Sequence, residues 1–237
     1  MRCLFPAIAR EKIHEQGSMS HISEPTVRRL SNYYRVLEEV AAEGKRMISS
    51  HLLAEREGIT SAQVRKDLSS FGSFGRRGLG YHVEHLRDEI RALLGLDRRW
   101  KACVVGAGHI GTALLGYRGF ADQGFDIVAV FDADAARIGR TLEGLVVRPV
   151  SQLSARDGFE IGVIATPVRA AQEVADALVA AGVQGILNFA PRKLRVPPAV
   201  TLRTVDMTME FESLSYALTH ARAPAPRRRR APQRPRG

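Results

Sequence analysis

The short apolar run Ala102-Cys103-Val104-Val105 leads without a spacer into Gly106-Ala107-Gly108-His109-Ile110-Gly111, and Thr112 to Leu115 then favour a helix. No other feature restricts the fold of this 237-residue chain as strongly. A strand that becomes a helix through glycines at the first, third and sixth loop positions opens a dinucleotide-binding α/β sheet. Gly106 turns the strand tightly, Gly108 lets backbone come against a pyrophosphate, and Gly111 lets the helix pack on the strand. Ala107, His109 and Ile110 complete the loop, and the helix start adds free N–H groups and positive dipole toward phosphate.

A second strand, Ile127 to Phe131, ends in Asp132, 21 residues beyond Gly111, where a ribose carboxylate is expected. Asp132 would accept hydrogen bonds from the adenine ribose and repel a 2′-phosphate, and Ala133-Asp134 offers no adjacent base. NAD(H) is therefore expected as cofactor in preference to NADP(H). Further strands at Ile161 to Ala165 and Gly185 to Asn188, with a helix from Val168 to Ala181 between them, predict a Rossmann-type, doubly wound parallel sheet. Thr166, Pro167, Asn188 and Phe189 follow strand C-termini, the edge where open sheets bind ligands, and are candidates for the nicotinamide side. They also suit ordinary turns and helix starts.

Ahead of the sheet the periodicity is helical. Ser23 as N-cap and Pro25 in the first turn precede Val27, Leu30, Tyr34, Leu37 and Ala41 at three- and four-residue steps, ending at Gly44. Ser50 to Glu57 fits a second helix, capped by Ser49 or Ser50 and ended by Gly58. Ser61 to Phe71 fits a third, with Ser61 at its N-cap. Its Ala62, Val64, Leu68 and Phe71 can face inward, leaving Ser61, Gln63, Arg65, Lys66 and Ser69 for base edges and phosphates. The glycine-rich Gly72 to Tyr81 suits a hairpin with Arg76 and Arg77 at its tip and Tyr81 at its end. A helix from Val83 to Leu94 closes the unit. Helix, turn, helix and basic hairpin predict a winged helix-turn-helix domain, with a solvated charged helix beside a loop as the plainer alternative.

Charge supports the DNA reading only locally. Residues 1–95 carry 15 basic against 12 acidic groups, residues 96–221 carry 13 of each, and residues 222–237 carry seven arginines without an acid. Most of the net +10 therefore lies in a Pro/Arg-rich tail expected to be disordered. Residues 1–20 show no periodicity and are expected to be a mobile leader. With 45% hydrophobic and 25% charged residues the body has globular composition. It has neither an apolar run long enough for a membrane helix nor a secretory signal, so no membrane partner and a cytoplasmic location are expected. Cys3 and Cys103 stand far apart without CxxC or a histidine at metal spacing, so neither zinc nor a disulfide is expected.

The expected domains are 21–95 for the winged helix, 96–205 for the nucleotide sheet and 206–221 for a terminal helix. In that helix Met207, Phe211, Leu214 and Leu218 form one apolar stripe, able to pack on its own sheet or on a partner subunit. A dinucleotide enzyme usually adds a substrate domain after the nucleotide fold, whereas only about 20 ordered residues remain here. No paired carboxylates, Ser/His/Asp arrangement or catalytic lysine stands out. A nucleotide sensor joined to a DNA reader fits better than the alternative, a small NAD-dependent oxidoreductase with an accessory helical domain.

From Ile22 to Leu218 the chain resembles the Rex family of redox-sensing transcriptional repressors. The resemblance rests on Ser61-Ala62-Gln63-Val64-Arg65-Lys66-Asp67-Leu68-Ser69, the wing Gly75-Arg76-Arg77-Gly78-Leu79-Gly80-Tyr81, Leu94-Gly95-Leu96-Asp97 and Trp100. The glycine loop with Tyr117-Arg118-Gly119-Phe120, and Gly185-Ile186-Leu187-Asn188-Phe189-Ala190-Pro191, extend it. The resemblance implies a homodimer with exchanged C-terminal helices, an inverted-repeat operator, release from DNA by NADH, and NAD⁺ competing for the same site. It also implies that Tyr117 senses the nicotinamide, that Asp206 approaches it from the partner subunit, and that Arg35 competes for that aspartate. His109 departs from the residues common in the family at its position.

Overall fold

A computed structural model describes residues 22–72, 75–76 and 79–221, with backbone only for Arg76 and Ala221. The expected leader and tail, and Arg77, expected at the hairpin tip, lie outside the described residues. The chain forms two compact units that divide between Arg98 and Arg99.

In the first unit, helix α1 (Glu24–Ala42) starts behind Ser23 with proline in its first turn. Proline is tolerated there because that N–H has no helical partner. Its core side is wider than the sequence spacing shows: Leu30, Tyr33, Tyr34, Val36, Leu37 and Val40 are buried, while Val27 stays exposed. A short strand β1 (Met47–Ile48), not expected from the sequence, precedes helix α2 (Ser50–Glu57). Ser49 caps α2 by accepting the Leu52 N–H, and Gly58 ends it in the left-handed conformation. Helix α3 (Ser61–Ser69) is capped by Thr60, whose hydroxyl accepts the Gln63 N–H at 3.2 Å. Ser61 is therefore the first helical residue, and the cap lies one place earlier than expected. Val64, Asp67 and Leu68 face inward and Ala62 is exposed, correcting its assignment to the buried side.

Strands β2 (Gly75–Arg76) and β3 (Gly80–His82) form the expected hairpin, and β3 also pairs with β1, giving the order β1-β3-β2. Gly80 has φ +83°, and a Cβ there would lie 2.4 Å from the Ile48 carbonyl oxygen, so only glycine lets β3 lie this close to β1. Helix α4 (Val83–Leu93) closes the unit through Val83, Leu86 and Ile90.

The second unit is built on a seven-stranded sheet. In chain order its elements are β4 (Trp100–Val105), α5 (His109–Gly116), the short α6 (Gly119–Asp122), β5 (Phe125–Asp132), β6 (Thr141–Leu142), β7 (Leu145–Pro149), β8 (Ile161–Ile164), α7 (Ala171–Ala180), β9 (Gly185–Asn188), β10 (Thr201–Thr204) and α8 (Met207–Ala221). The strand order is β10-β9-β8-β4-β5-β7-β6, parallel except for the antiparallel β6–β7 hairpin. That hairpin and β10 escaped the sequence reading because they are short and not bracketed by helices. β4 is central, with β5 on one side and β8 on the other, so the chain reverses its winding beside the glycine loop. One apolar cluster packs Cys103, Val105, Phe131 and Ile164 against Ala171, Ala175 and Leu178 of α7. On the other face Val104, Val130 and Val163 meet Leu114 and Leu115 of α5.

Every described side chain of α8 is exposed, including Met207, Phe211, Leu214 and Leu218. Among the described residues, no helix is long and apolar enough to cross a membrane.

Candidate functional site

The glycine loop leaves β4 at the carboxyl edge of the sheet. Gly106 has φ +110°, and a Cβ on it would stand 2.4 Å from the carbonyl oxygen of Ala165, just past β8. A Cβ on Gly111 would fall 1.8 Å from the Gly106 oxygen, so α5 can seat on the loop only with glycine there. Gly108 is different: its nearest neighbour would be an Arg137 guanidinium nitrogen at 3.8 Å. The protein itself thus leaves open the space that a Cβ on Gly108 would fill. His109 and Ile110 are exposed at the start of α5, and Ala107 is buried.

Asp132, at the end of β5, is 7% exposed. One carboxylate oxygen accepts the Ala107 N–H at 2.7 Å, and the other accepts the Asp134 N–H at 2.8 Å. Burial alone would raise its pKa. These two N–H groups and the Arg137 guanidinium, 3.2 Å away, outweigh burial and hold it below the usual carboxylate range. Arg137 was not anticipated: no base directly follows Asp132, but the turn after β5 brings this one back from five residues on.

Thr166 follows β8, and its hydroxyl is a buried polar atom without a hydrogen-bond partner among the described residues. Such an atom is costly unless a ligand or water completes it, which fits a nucleotide at this edge. Pro167 is exposed and Phe189 is half-buried. Asn188 is fully buried, and its carboxamide is spent on its own loop: it donates to Ala190 and Arg192 carbonyls at 2.9 and 3.1 Å and accepts the Ala190 N–H at 2.9 Å. Its expected ligand contact is thereby corrected to a loop staple that holds Phe189. Tyr117, at the C-terminus of α5, is 62% exposed and meets Phe120 edge-on at 4.9 Å. Asp206 accepts the Thr208 N–H at 2.9 Å and so caps α8.

On the first unit, α3 exposes Arg65, Lys66 and Ser69, while Ser61 is half-buried. Arg65 donates to the Ser50 hydroxyl at 3.2 Å, which joins the middle of α3 to the start of α2. Gln63 is turned partly inward and donates to Asp67 at 2.8 Å. Tyr81 was expected at the DNA face; its ring belongs to the core instead, because β3 is the central strand and its middle residue points inward. Burial raises its hydroxyl pKa. Arg76 is the last residue of strand β2. Arg35 is exposed on α1 beside Asn32, Glu39 and Arg56.

Sequence reasoning missed what holds α3 in place. Asp67 is 3% exposed and accepts from Arg29 at 2.6 and 2.8 Å, from the Tyr33 hydroxyl at 2.8 Å and from Gln63. Burial opposes its charge, but these donors prevail and hold its pKa low. A charged residue one turn above Gln63, on a helix otherwise apolar inward, was the available signal.

The two units define a class: a winged-helix DNA-binding protein whose second unit is a dinucleotide-type parallel sheet. Residues 97–192 match the family described as "CoA binding domain", and residues 21–69 match "Putative DNA-binding protein N-terminus". The chain is 48% identical over 198 residues to the redox-sensing transcriptional repressor Rex of Carboxydothermus hydrogenoformans, covering 82% of this chain and 95% of the relative. It is 45% identical over 201 residues to Rex 1 of Thermotoga maritima, covering 83% and 96%. A crystal structure of RSP with β-NAD⁺ and operator DNA superposes with a TM-score of 0.82 at 36% identity, covering 85% of this chain and 94% of that one. RSP with β-NADH gives 0.77 at 35% identity, covering 85% and 96%. The chain belongs to the Rex family of redox-sensing transcriptional repressors.

Proposed function

We propose that this chain represses transcription by binding operator DNA through α3 and the β2–β3 wing, and that NADH at the glycine loop releases it. The observation that carries the reading is the lock between the Ala107 N–H and Asp132, which pre-forms the adenosine end of a dinucleotide site. The same chain carries an exposed basic recognition helix. Relatives solved with β-NAD⁺ and operator DNA, and with β-NADH, support the pairing of the two ligands.

Gly106, Ala107, Gly108 and the start of α5 hold the pyrophosphate, Asp132 takes the ribose hydroxyls, and Thr166, Pro167 and Phe189 border the nicotinamide, with Tyr117 beside it. The nicotinamide supplies a charge that differs by one between the two redox states, and the chain's residues convert that difference into a change of domain state. A 100-fold change in operator affinity requires about 2.7 kcal/mol of coupling, within reach of one rearranged charged contact plus its packing. Asp206 and Arg35 are assigned to that contact. Ser61, Arg65, Lys66, Ser69, Arg76 and Arg77 meet DNA, and the residue 222–237 tail adds salt-sensitive attraction.

The exposed stripe of α8 supports a homodimer with exchanged terminal helices, because an isolated helix of this length is marginal in water without packing on its apolar side. Two copies then read an inverted repeat. Catalysis has no part in this reading, and a repressor that meets operator DNA is read as a cytoplasmic protein.

The test is a fluorescence-anisotropy titration onto an inverted-repeat operator at fixed salt, with and without NADH and NAD⁺. NADH is expected to release the DNA without being consumed, and Asp206→Ala to blunt that release while leaving the fold intact. Tight DNA binding that ignores both nucleotides, or steady turnover of NADH, would overturn the reading.

A further inference from the structure

The adenosine end of the site carries a second charged group. Arg137 reaches back from the turn after β5 and donates to Asp132 at 3.2 Å. Its Nε lies 3.6 Å from the Asp134 carboxylate. The Arg137 side chain remains 44% exposed, so one side of the guanidinium is free to meet a ligand. It also lies beside the open space over Gly108, at 3.8 Å from where a Cβ would stand. The guanidinium therefore borders both the carboxylate that takes the ribose and the glycine that faces phosphate.

Asp132 is meanwhile less available than a free ribose carboxylate. The oxygen that holds the loop N–H is the one Arg137 also contacts, and the other is engaged by the Asp134 N–H. A carboxylate already neutralised by a guanidinium repels an incoming 2′-phosphate less than a lone one does. A planar guanidinium is also a good phosphate donor, and an arginine at this edge is the usual means of accommodating a 2′-phosphate.

We propose that Arg137 is a specificity-determining residue of the nucleotide site, one that tempers the discrimination Asp132 exerts against a 2′-phosphorylated dinucleotide. On binding of a 2′-phosphate the guanidinium exchanges its Asp134 and Asp132 partners for the phosphate, so this chain admits NADPH with measurable affinity, weaker than NADH. The inference rests on the dinucleotide reading above and concerns only how the adenosine end is selected.

The experiment measures dissociation constants of NADH and NADPH for the full chain by titration calorimetry, at low and at physiological salt, with wild type, Arg137→Gln and Arg137→Lys. The readout is the ratio of the NADPH to the NADH constant, which cancels any general weakening of the site. A unit charge about 4 Å from a phosphate under bulk-water screening amounts to about fivefold in affinity, and a 2′-phosphate carries more than one charge. The ratio is expected to rise at least fivefold in Arg137→Gln, to stay within twofold in Arg137→Lys, and to rise with salt in wild type. A rise below threefold in Arg137→Gln, or a lysine variant that behaves like the glutamine one, would overturn the assignment and leave Arg137 a surface ion pair. Failure of wild type to bind NADH at all would refute the dinucleotide reading itself, a different result.

Discussion

Removing the Asp67 carboxylate tests how the recognition helix is held. In Asp67→Ala the Arg29 guanidinium loses two hydrogen bonds, at 2.6 and 2.8 Å, and the Tyr33 hydroxyl and Gln63 amide each lose one at 2.8 Å. Breaking a fully buried ion pair from one side costs about 3–5 kcal/mol. The Arg29 side chain is 26% exposed and can recover some water, so the lower end, about 3 kcal/mol, is expected. In a unit of this size each 1 kcal/mol moves the melting midpoint by about 4–8 °C, so the first unit should melt at least 12 °C lower. Because α3 is tied to α1 through this carboxylate, operator affinity should fall as well. The triple variant Arg29→Met, Tyr33→Phe, Asp67→Leu should recover most of the stability, since apolar replacement of the carboxylate and of its two donors from α1 leaves only the half-buried Gln63 amide to find water. Asp67 has a depressed pKa in the folded state, so its contribution is complete above the unfolded value near pH 4 and disappears as the pH falls through the lower folded one. The assay is thermal unfolding by circular dichroism, with amide hydrogen exchange on peptides spanning α1 and α3 to separate this unit from the other. A midpoint shift below 3 °C, with unchanged exchange in α3, would refute the reasoning.

Gly111→Ala places a methyl group where the Gly106 oxygen already lies, so the loop must open: NADH binding should drop more than 100-fold and the second unit should melt earlier, checked by calorimetry on purified protein. Leu214→Glu puts a charge in the middle of the exposed stripe of α8, and the variant should sediment as a monomer at concentrations where the wild type is expected to sediment as the proposed dimer. Equal sedimentation of the two proteins would remove α8 from the dimer interface.

Much of the architecture follows from local rules that a sequence displays directly. The Gly106, Gly108 and Gly111 spacing after an apolar strand, Asp132 at the end of the next strand, and the capped helices α2 and α3 before a glycine-rich hairpin each depend on neighbours within a few residues. Glycine is required where a Cβ would strike backbone, and such positions announce themselves. The short β1, β6, β7 and β10 did not, because two- to five-residue strands take their stability from pairing partners elsewhere in the chain.

The site shows the same division. That Asp132 ends the second strand was legible; that it holds the Ala107 N–H, and that Arg137 curls back onto it from the turn after β5, no spacing rule describes. Tyr81 read as a DNA contact because it ends a basic hairpin, yet pairing with both β1 and β2 makes β3 central and turns the ring into the core. Asn188 looked like a ligand residue past a strand end, and its own loop consumes its carboxamide. Asp67 became the anchor of α3 through partners 34 and 38 residues away. By itself the sequence determined the class of each unit, the place of the glycine loop on the sheet edge and the helix proposed to meet DNA, since these rest on short-range periodicity and steric necessity. Only the tertiary structure decided which polar groups are free to meet a ligand and which are spent on one another, because a hydrogen bond is settled by the position of both partners and the chain brings them together only when folded.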